Sequence, residues 1–180
     1  MDVAKTVEEA RLLYESGLKE SALRSLLLAV AATARKRYPR KKYGDEAAFT
    51  SFVLDEMLAG RFFGPCVKAA ISMRWKGLAT PLETIIYELR CTLVHESEMH
   101  EHVLYDPHQD PTRLVLRTDA DGRLVFQDSL LVCLFKCIHN AQENADLLTP
   151  IPFSNTTGGH LVGNREGRLI VGEAITMPLP

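Results

Sequence analysis

An arginine and a histidine lie five positions apart in the stretch from Tyr87 to Glu98, which reads YELRCTLVHESE. Arg90 has a guanidinium that is always charged, and His95 has an imidazole that titrates near neutral pH. Such a pair suits chemistry on a phosphodiester. The imidazole can take the proton of a ribose 2′-hydroxyl, and the guanidinium can hold the phosphate and stabilise the charge of the transition state. Arg90 and His95 are therefore the candidate catalytic residues.

The helix that would carry this pair has a well-marked start. Thr80 can cap it, Pro81 suits the first helical position, and Glu83 completes a capping box. Apolar residues then follow at a spacing of four, at Ile85, Leu89 and Leu93. We therefore predict a helix over residues 81–96, which ends where charged residues replace apolar ones.

Helical geometry places a condition on the pair. Five positions at about 100° each turn the side chains by about 500°, so positions 90 and 95 of an uninterrupted helix point about 140° apart. One chain would bring Arg90 and His95 together only if the helix ended or distorted before His95. Two copies packed antiparallel about a two-fold axis could instead bring both pairs into one cleft. A catalytic role therefore predicts a homodimer.

The string from Tyr87 to Glu98 resembles the R-x4–6-H element of the HEPN superfamily, here with four residues between Arg90 and His95. The order of long helices before an amphipathic helix that ends in this element is also similar, over roughly residues 1–147. The resemblance implies a bundle of four or five helices, usually dimeric, with the paired elements lining the dimer cleft. Many members are metal-independent endoribonucleases of toxin–antitoxin, CRISPR-linked or anti-phage systems that leave cyclic phosphate ends.

Carried over to this chain, the resemblance makes Arg90 the residue that holds the phosphate and His95 the general acid and base, with no cofactor. An antitoxin or regulatory protein is a partner that such a system implies. Many active members have Asn, Asp or His directly after the arginine, whereas this chain has Cys91. Cys91 and the acidic net charge favour a second hypothesis, a non-catalytic dimeric helical module that binds or regulates another protein.

A basic run, RKRYPRKKY, extends from Arg35 to Tyr43. Its first cations suit the negative end of a helix dipole, so the run is typical of a solvated helix end. It is also the one candidate patch for single-stranded RNA, whose backbone can be splayed into a cleft. The chain has 21 basic and 23 acidic residues, a net charge of −2, which excludes binding of nucleic acid through bulk charge. The candidate RNA-binding residues are Arg35, Lys36, Arg37, Arg40, Lys41 and Lys42.

The fold class predicted from the pattern is all-α, a bundle of four to five helices that is HEPN-like by the resemblance. The other predicted helices run from a Thr6 cap to Gly17, over 20–38, from Asp45 to Gly60, and from an Asp128 cap onward. Strands at 113–117 and 123–127 predict a small β-hairpin before the last helix. One helical domain would cover residues 1–147. Residues 148–180 would form a C-terminal extension with a second hairpin at 160–163 and 168–171.

The segment between the third and fourth predicted helices has a weaker pattern. Residues 66–73 are consistent with one or two helical turns, and Trp75 is expected to be a packing residue.

Other combinations of residues that could do chemistry are weaker. His95, His100, His102 and His108 lie among acidic residues and could bind a transition metal, but their spacing matches no closed zinc site. Cys133 and Cys137 share one face of the last helix, which merges with its apolar stripe, so we expect core residues. The sequence therefore predicts no metal. It has no glycine-rich phosphate loop, G-x-S-x-G or C-x-x-C.

Two features predict a cytoplasmic protein without a membrane partner. The N-terminal segment MDVAKTVEEA carries acids where a secretory signal needs a basic start and an apolar run. The longest apolar run, residues 26–32, is seven residues long, against the roughly 20 that span a bilayer.

Overall fold

Apolar residues recur at helical spacing along much of the chain, and the computed structural model has five α-helices among the residues it describes. Those residues are 1–58, 72–95, 101, 103–106, 115–119, 121, 123–150, 161–163 and 169–171. The helices are α1 (Val3–Glu15), α2 (Lys19–Arg37), α3 (Asp45–Val53), α4 (Leu82–His95) and α5 (Asp128–Asn140). A π-helical turn, Leu54–Leu58, follows α3, and a 3-10 turn, Gln142–Asn144, follows α5. The prediction of a mainly helical protein is therefore confirmed.

Helix α2 forms the centre of the core, where it packs against the other four α-helices. Leu23, Leu26, Leu27 and Val30 are fully buried along it. Burying a side chain of this size stabilises the fold by about 1.5–3 kcal/mol, so α2 contributes strongly. The predicted apolar stripes of α3, α4 and α5 are buried too, at Phe49, Phe52, Ile85, Leu89, Leu93, Leu131, Leu134 and Ile138. No helix in the described ranges has the length and hydropathy needed to cross a membrane.

The start of α1 differs from the prediction. The carboxylate of Asp2 caps the helix and accepts a hydrogen bond from the backbone amide of Lys5 at 3.3 Å. Thr6, the predicted cap, lies inside the helix, where its hydroxyl donates to the carbonyl of Asp2 at 2.9 Å. The earlier start adds a turn that buries Val3, which explains why Asp2 is used. The end at Gly17, which has a φ of 81°, is confirmed.

A β-hairpin replaces the helical turns predicted up to Met73. Strand β1 (Ser72–Trp75) pairs antiparallel with β2 (Leu78–Pro81). Met73 and Trp75 are buried while their neighbours are exposed, the period of two that a half-buried strand requires. Trp75 is thus a packing residue, as predicted. The rest of that predicted segment, residues 66–71, lies outside the described residues.

The turn of this hairpin depends on a left-handed backbone. Lys76 has a φ of 49° and Gly77 a φ of 81°, as in a type I′ turn. No atom lies within 4 Å of a Cβ built on Gly77, so only its conformation restricts substitution. We expect Gly77→Ala to lower the free energy of unfolding by about 1–2 kcal/mol, measured by urea denaturation. Gly77→Asn is the control, since asparagine tolerates this region better, and an equal loss in both variants would contradict the explanation.

The remaining strands form one five-stranded sheet in the order β3-β5-β4-β7-β6. They are β3 (Val103–Tyr105), β4 (Val115–Thr118), β5 (Leu124–Phe126), β6 (Leu161–Gly163) and β7 (Leu169–Val171). The antiparallel β4–β5 and β6–β7 pairs confirm both predicted hairpins. Strand β7 pairs with β4, so the second hairpin extends the sheet of the first. Strand β3, which was not predicted, lies parallel to β5.

Candidate functional site

Helix α4 turns its apolar stripe toward the core and carries Arg90 beside the start of α3. Leu89 and Leu93 are buried, while the Arg90 side chain is 17% exposed. Nη1 of Arg90 donates a hydrogen bond to Oδ2 of Asp45 at 3.1 Å. This ion pair joins two helices through residues that are 45 positions apart in the sequence.

Asp45 also binds an arginine from the end of α2. Nη2 of Arg35 donates to Oδ1 of Asp45 at 2.7 Å, and Nη1 donates to the carbonyl oxygen of Tyr43 at 3.1 Å. Burial acts to raise the pKa of Asp45, but Arg35, Arg90 and Arg40 outweigh it and hold this pKa below its ordinary value. The carboxylate of Asp45 is therefore ionised at neutral pH and bridges two arginines from different helices.

Arg35, Asp45 and Arg90 line an open groove of about 510 Å³ between the start of α1, the end of α2 and α4. Lys36 and Arg40 line the same groove, so its lining includes four cationic residues and one carboxylate. We call these five residues the basic groove. Because positive charge in a concave surface raises the local concentration of anions, the groove can hold an anionic ligand. The groove has this local positive charge although the whole chain has a net charge of −2.

The structure divides the six candidate RNA-binding residues into two groups. Arg35, Lys36 and Arg40 line the basic groove with Arg90, whereas Arg37, Lys41 and Lys42 do not. Lys41 and Lys42 are exposed in the turn after α2. Lys36 also contacts the 3-10 turn, where its Nζ donates to Oδ1 of Asn144 at 2.9 Å.

Arg37 points to a different set of partners. Its Nη2 lies 2.6 Å from Oε1 of Glu56, and its Nε lies 2.7 Å from Oε1 of Glu143. Its guanidinium carbon also lies 4.9 Å from the centre of the Phe52 ring. These contacts connect the end of α2 to the π-helical turn and to the 3-10 turn, which gives Arg37 a structural role.

His95 is the last residue of α4, and its side chain lies outside the described part of the structure. The helix runs without interruption from Leu82 to His95, so positions 90 and 95 are about 140° apart around its axis. The helix therefore does not end early enough to bring the two positions to one side within one chain. Convergence of Arg90 and His95 between two copies of the chain stays a prediction.

In a comparison with known protein families, residues 2–156 of the chain match a family model named Rv1289. The chain belongs to the Rv1289 family. No curated protein and no solved structure is significantly similar to the chain. The Rv1289 match includes every residue of the basic groove and also His95, and it ends before the β6–β7 hairpin. The name of the family describes no activity.

In this Rv1289 family member, the side chains of Tyr87 and Cys91 make further contacts with Asp45 and Arg90. The hydroxyl of Tyr87 lies 3.5 Å from Oδ2 of Asp45, and Sγ of Cys91 lies 3.8 Å from Nη1 of Arg90. Burial, together with the contact to Cys91, raises the pKa of Tyr87 to about 12. Tyr87 is therefore a neutral hydrogen-bond donor at physiological pH, and it adds no negative charge to the basic groove.

Asp45 is a residue of the candidate site to which the sequence assigned another role. The sequence predicts it as a helix cap, but Gly44 is the N-cap and Asp45 is the first residue of α3. An acidic residue in a first helical turn is explained by the helix dipole alone. No local pattern therefore indicates that Asp45 binds Arg35 and Arg90.

Among the described residues, no group of three or more His, Cys, Asp or Glu side chains is placed to hold a metal ion. The described part of the structure therefore adds no support for the metal-binding alternative. His100, His102 and His108 lie outside those ranges. Cys133 and Cys137 are buried in the core, as predicted, and burial raises the pKa of the Cys133 thiol. Both cysteines therefore act as small apolar residues.

Proposed function

We propose that this Rv1289 family member is a HEPN-type, metal-independent endoribonuclease that cleaves single-stranded RNA as a homodimer. The observation that carries the proposal is that Arg90 lines the same groove as Arg35, Lys36 and Arg40. The R-x4-H element and the basic run were two separate features of the sequence. The presence of Arg90 and part of the basic run in one groove supports an RNA backbone that passes Arg90.

The charge and shape of the basic groove suit a strand of nucleic acid. Four cations against one carboxylate leave a positive excess, and arginine binds phosphate through two parallel hydrogen bonds. Leu28, Ala31 and Ala32 of α2 provide apolar surface in the same groove, which can contact sugars or bases. Phosphate contacts of this kind position a strand without selecting its sequence.

The reaction that fits Arg90 and His95 is transfer of the phosphodiester to the neighbouring 2′-hydroxyl. The imidazole of His95 takes the proton of the 2′-hydroxyl, and the 2′ oxygen bonds to phosphorus as the P–O5′ bond breaks. The imidazole then returns its proton to the departing 5′ oxygen. The products are a 2′,3′-cyclic phosphate and a 5′-hydroxyl, and Arg90 stabilises the extra charge on the phosphate oxygens.

The homodimer is part of this proposal because position 95 of one α4 must meet position 90 of another. Two α4 helices packed antiparallel about a two-fold axis satisfy that requirement. A toxin–antitoxin or phage-defence setting, with a regulatory protein as partner, follows from the resemblance to the HEPN superfamily. The proposed location is the cytoplasm.

A non-catalytic dimeric binding module is the second candidate function. The ion pair between Arg90 and Asp45 favours it, since a purely structural arginine would also be held in this way. An apolar groove of about 520 Å³ between α1 and α5, lined by residues that include Val7, Tyr14 and Phe135, offers a surface for a protein partner. In this case the chain would not cleave RNA.

Cleavage of a labelled single-stranded RNA in excess EDTA separates the two functions. We expect the wild-type protein to produce cyclic phosphate ends and the folded His95→Ala variant to produce none. DNA of the same sequence is the matched substrate control, because it has no 2′-hydroxyl and should stay intact. Equal trace activity in wild type and His95→Ala would indicate a contaminating nuclease, and the binding module would then be the better account.

A further inference from the structure

We propose that Asp45 is an internal competitor for the phosphate-binding arginines, so that an RNA phosphate reaches Arg35 and Arg90 together only by displacing its carboxylate. This inference rests on the proposed function, because it names what controls access to the same groove. It gives Asp45 a role in selecting which anions bind.

The geometry places the carboxylate of Asp45 where a bridging phosphate would lie. Its two oxygens accept from arginines of two helices, at 2.7 Å from Arg35 and 3.1 Å from Arg90. A phosphate group presents oxygens that can accept from both arginines in the same way. Asp45 thus occupies the position between the two guanidinium groups that a nucleotide phosphate needs.

The two arginines retain donors that Asp45 does not use. Each reaches the carboxylate through a single nitrogen, Nη2 of Arg35 and Nη1 of Arg90. Their Nε atoms are buried, so the donors open to a phosphate are the remaining N–H groups of the two terminal nitrogens. Arginine binds phosphate best with two parallel hydrogen bonds, so Arg35 and Arg90 can each make a fuller contact with a phosphate than with Asp45.

The arginines are held in place, whereas Asp45 can leave. The side chains of Arg35 and Arg90 are only 20% and 17% exposed, and Arg35 is also bonded to the Tyr43 carbonyl. The side chain of Asp45 is 43% exposed. If it turns toward solvent, it stays in the first turn of α3, where the helix dipole stabilises negative charge.

Competition by a tethered carboxylate favours long polyanions over single anions. Asp45 is present at a high effective concentration because it belongs to the same chain. A single small anion must displace it with its own contacts alone. A strand of RNA gains further contacts from Lys36 and Arg40 in the same groove and can therefore displace it.

The test measures binding with a strand that cannot be cleaved. A fluorescent 2′-O-methyl oligouridine is titrated into the full-length wild-type, Asp45→Asn and Asp45→Ser proteins at several salt concentrations. We expect both Asp45 variants to bind about threefold to tenfold more tightly than wild type at low salt. The slope of log affinity against log salt should steepen by about 0.7, for one more phosphate contact on a single strand.

Asp55→Asn is the matched control. It removes the same charge from a side chain of similar exposure, 49%, that does not line the basic groove. Its affinity should stay near that of wild type. A gain as large as that of Asp45→Asn would overturn the inference, because net charge alone would explain both.

Two further outcomes would also overturn it. If folded Asp45 variants bind no better than wild type, Asp45 positions the arginines and does not compete with phosphate. If neither wild type nor the Asp45 variants bind the strand, removal of the carboxylate has opened no site. Failure of the proposed function is a separate result, in which Asp45→Asn tightens binding but wild type cuts no RNA.

Discussion

Arg90→Ala is expected to slow RNA cleavage by about 100- to 1000-fold, the usual cost of removing one preorganised group that stabilises transition-state charge. The effect should be large because the side chain of Arg90 is only 17% exposed, so its guanidinium needs little reorganisation during the reaction. The measurement is the single-turnover cleavage rate of a labelled single-stranded RNA in EDTA. Thermal unfolding of the same preparation establishes that the variant is folded.

Two variants make this result specific to Arg90. Arg90→Lys keeps the charge but loses the planar fork, so it should retain an intermediate rate. Arg11→Ala removes an exposed arginine of α1, which bonds to Glu8 and Glu15 and does not line the basic groove. Its cleavage rate should match wild type. A folded Arg90→Ala protein that cleaves at the wild-type rate would assign Arg90 a structural role only.

Arg37→Ala is expected to lower the free energy of unfolding by about 2–4 kcal/mol, because it breaks ion pairs that are largely removed from water. Arg37 is 21% exposed, and its partners Glu56 and Glu143 are 5% and 18% exposed. The substitution leaves both carboxylates without this guanidinium and removes its contact with the Phe52 ring. Urea denaturation followed by circular dichroism gives the value.

The same variant should leave RNA affinity unchanged under conditions in which it is folded, because Arg37 does not line the basic groove. Lys41→Ala is the control for the stability measurement, because Lys41 is a cation of the same basic run. Lys41 is exposed, so its loss should change the free energy of unfolding by less than about 0.5 kcal/mol. An Arg37→Ala protein of normal stability that binds RNA weakly would place Arg37 in the binding surface instead.

The sequence alone was sufficient to locate α2 and α4 closely. The predictions of 20–38 and 81–96 agree within one residue with α2, Lys19–Arg37, and α4, Leu82–His95. Apolar spacing, caps and helix-ending residues act within a few positions, so a short window of sequence contains them. The two hairpins at β4–β5 and β6–β7 were predictable for the same reason, because each joins neighbouring segments.

The errors fall where tertiary packing decides between local alternatives. Asp2 and Thr6 are both good caps for α1, and burial of Val3 selects Asp2. At β1, Met73 and Trp75 are buried on one face of a strand, although apolar residues in that segment are also compatible with a helix. The Lys76–Gly77 turn was the signal that could have predicted this hairpin.

The candidate site was predictable only in part. The residue types alone show the charged side chain of Arg90 and the basic run that starts at Arg35. The sequence therefore determined which cationic groups are available to bind a phosphate. Their meeting around Asp45 was decided by the tertiary structure. Arg35, Asp45 and Arg90 lie on three helices, α2, α3 and α4, which come together because their apolar faces share one core. That burial is a long-range effect, and no local window of sequence contains it.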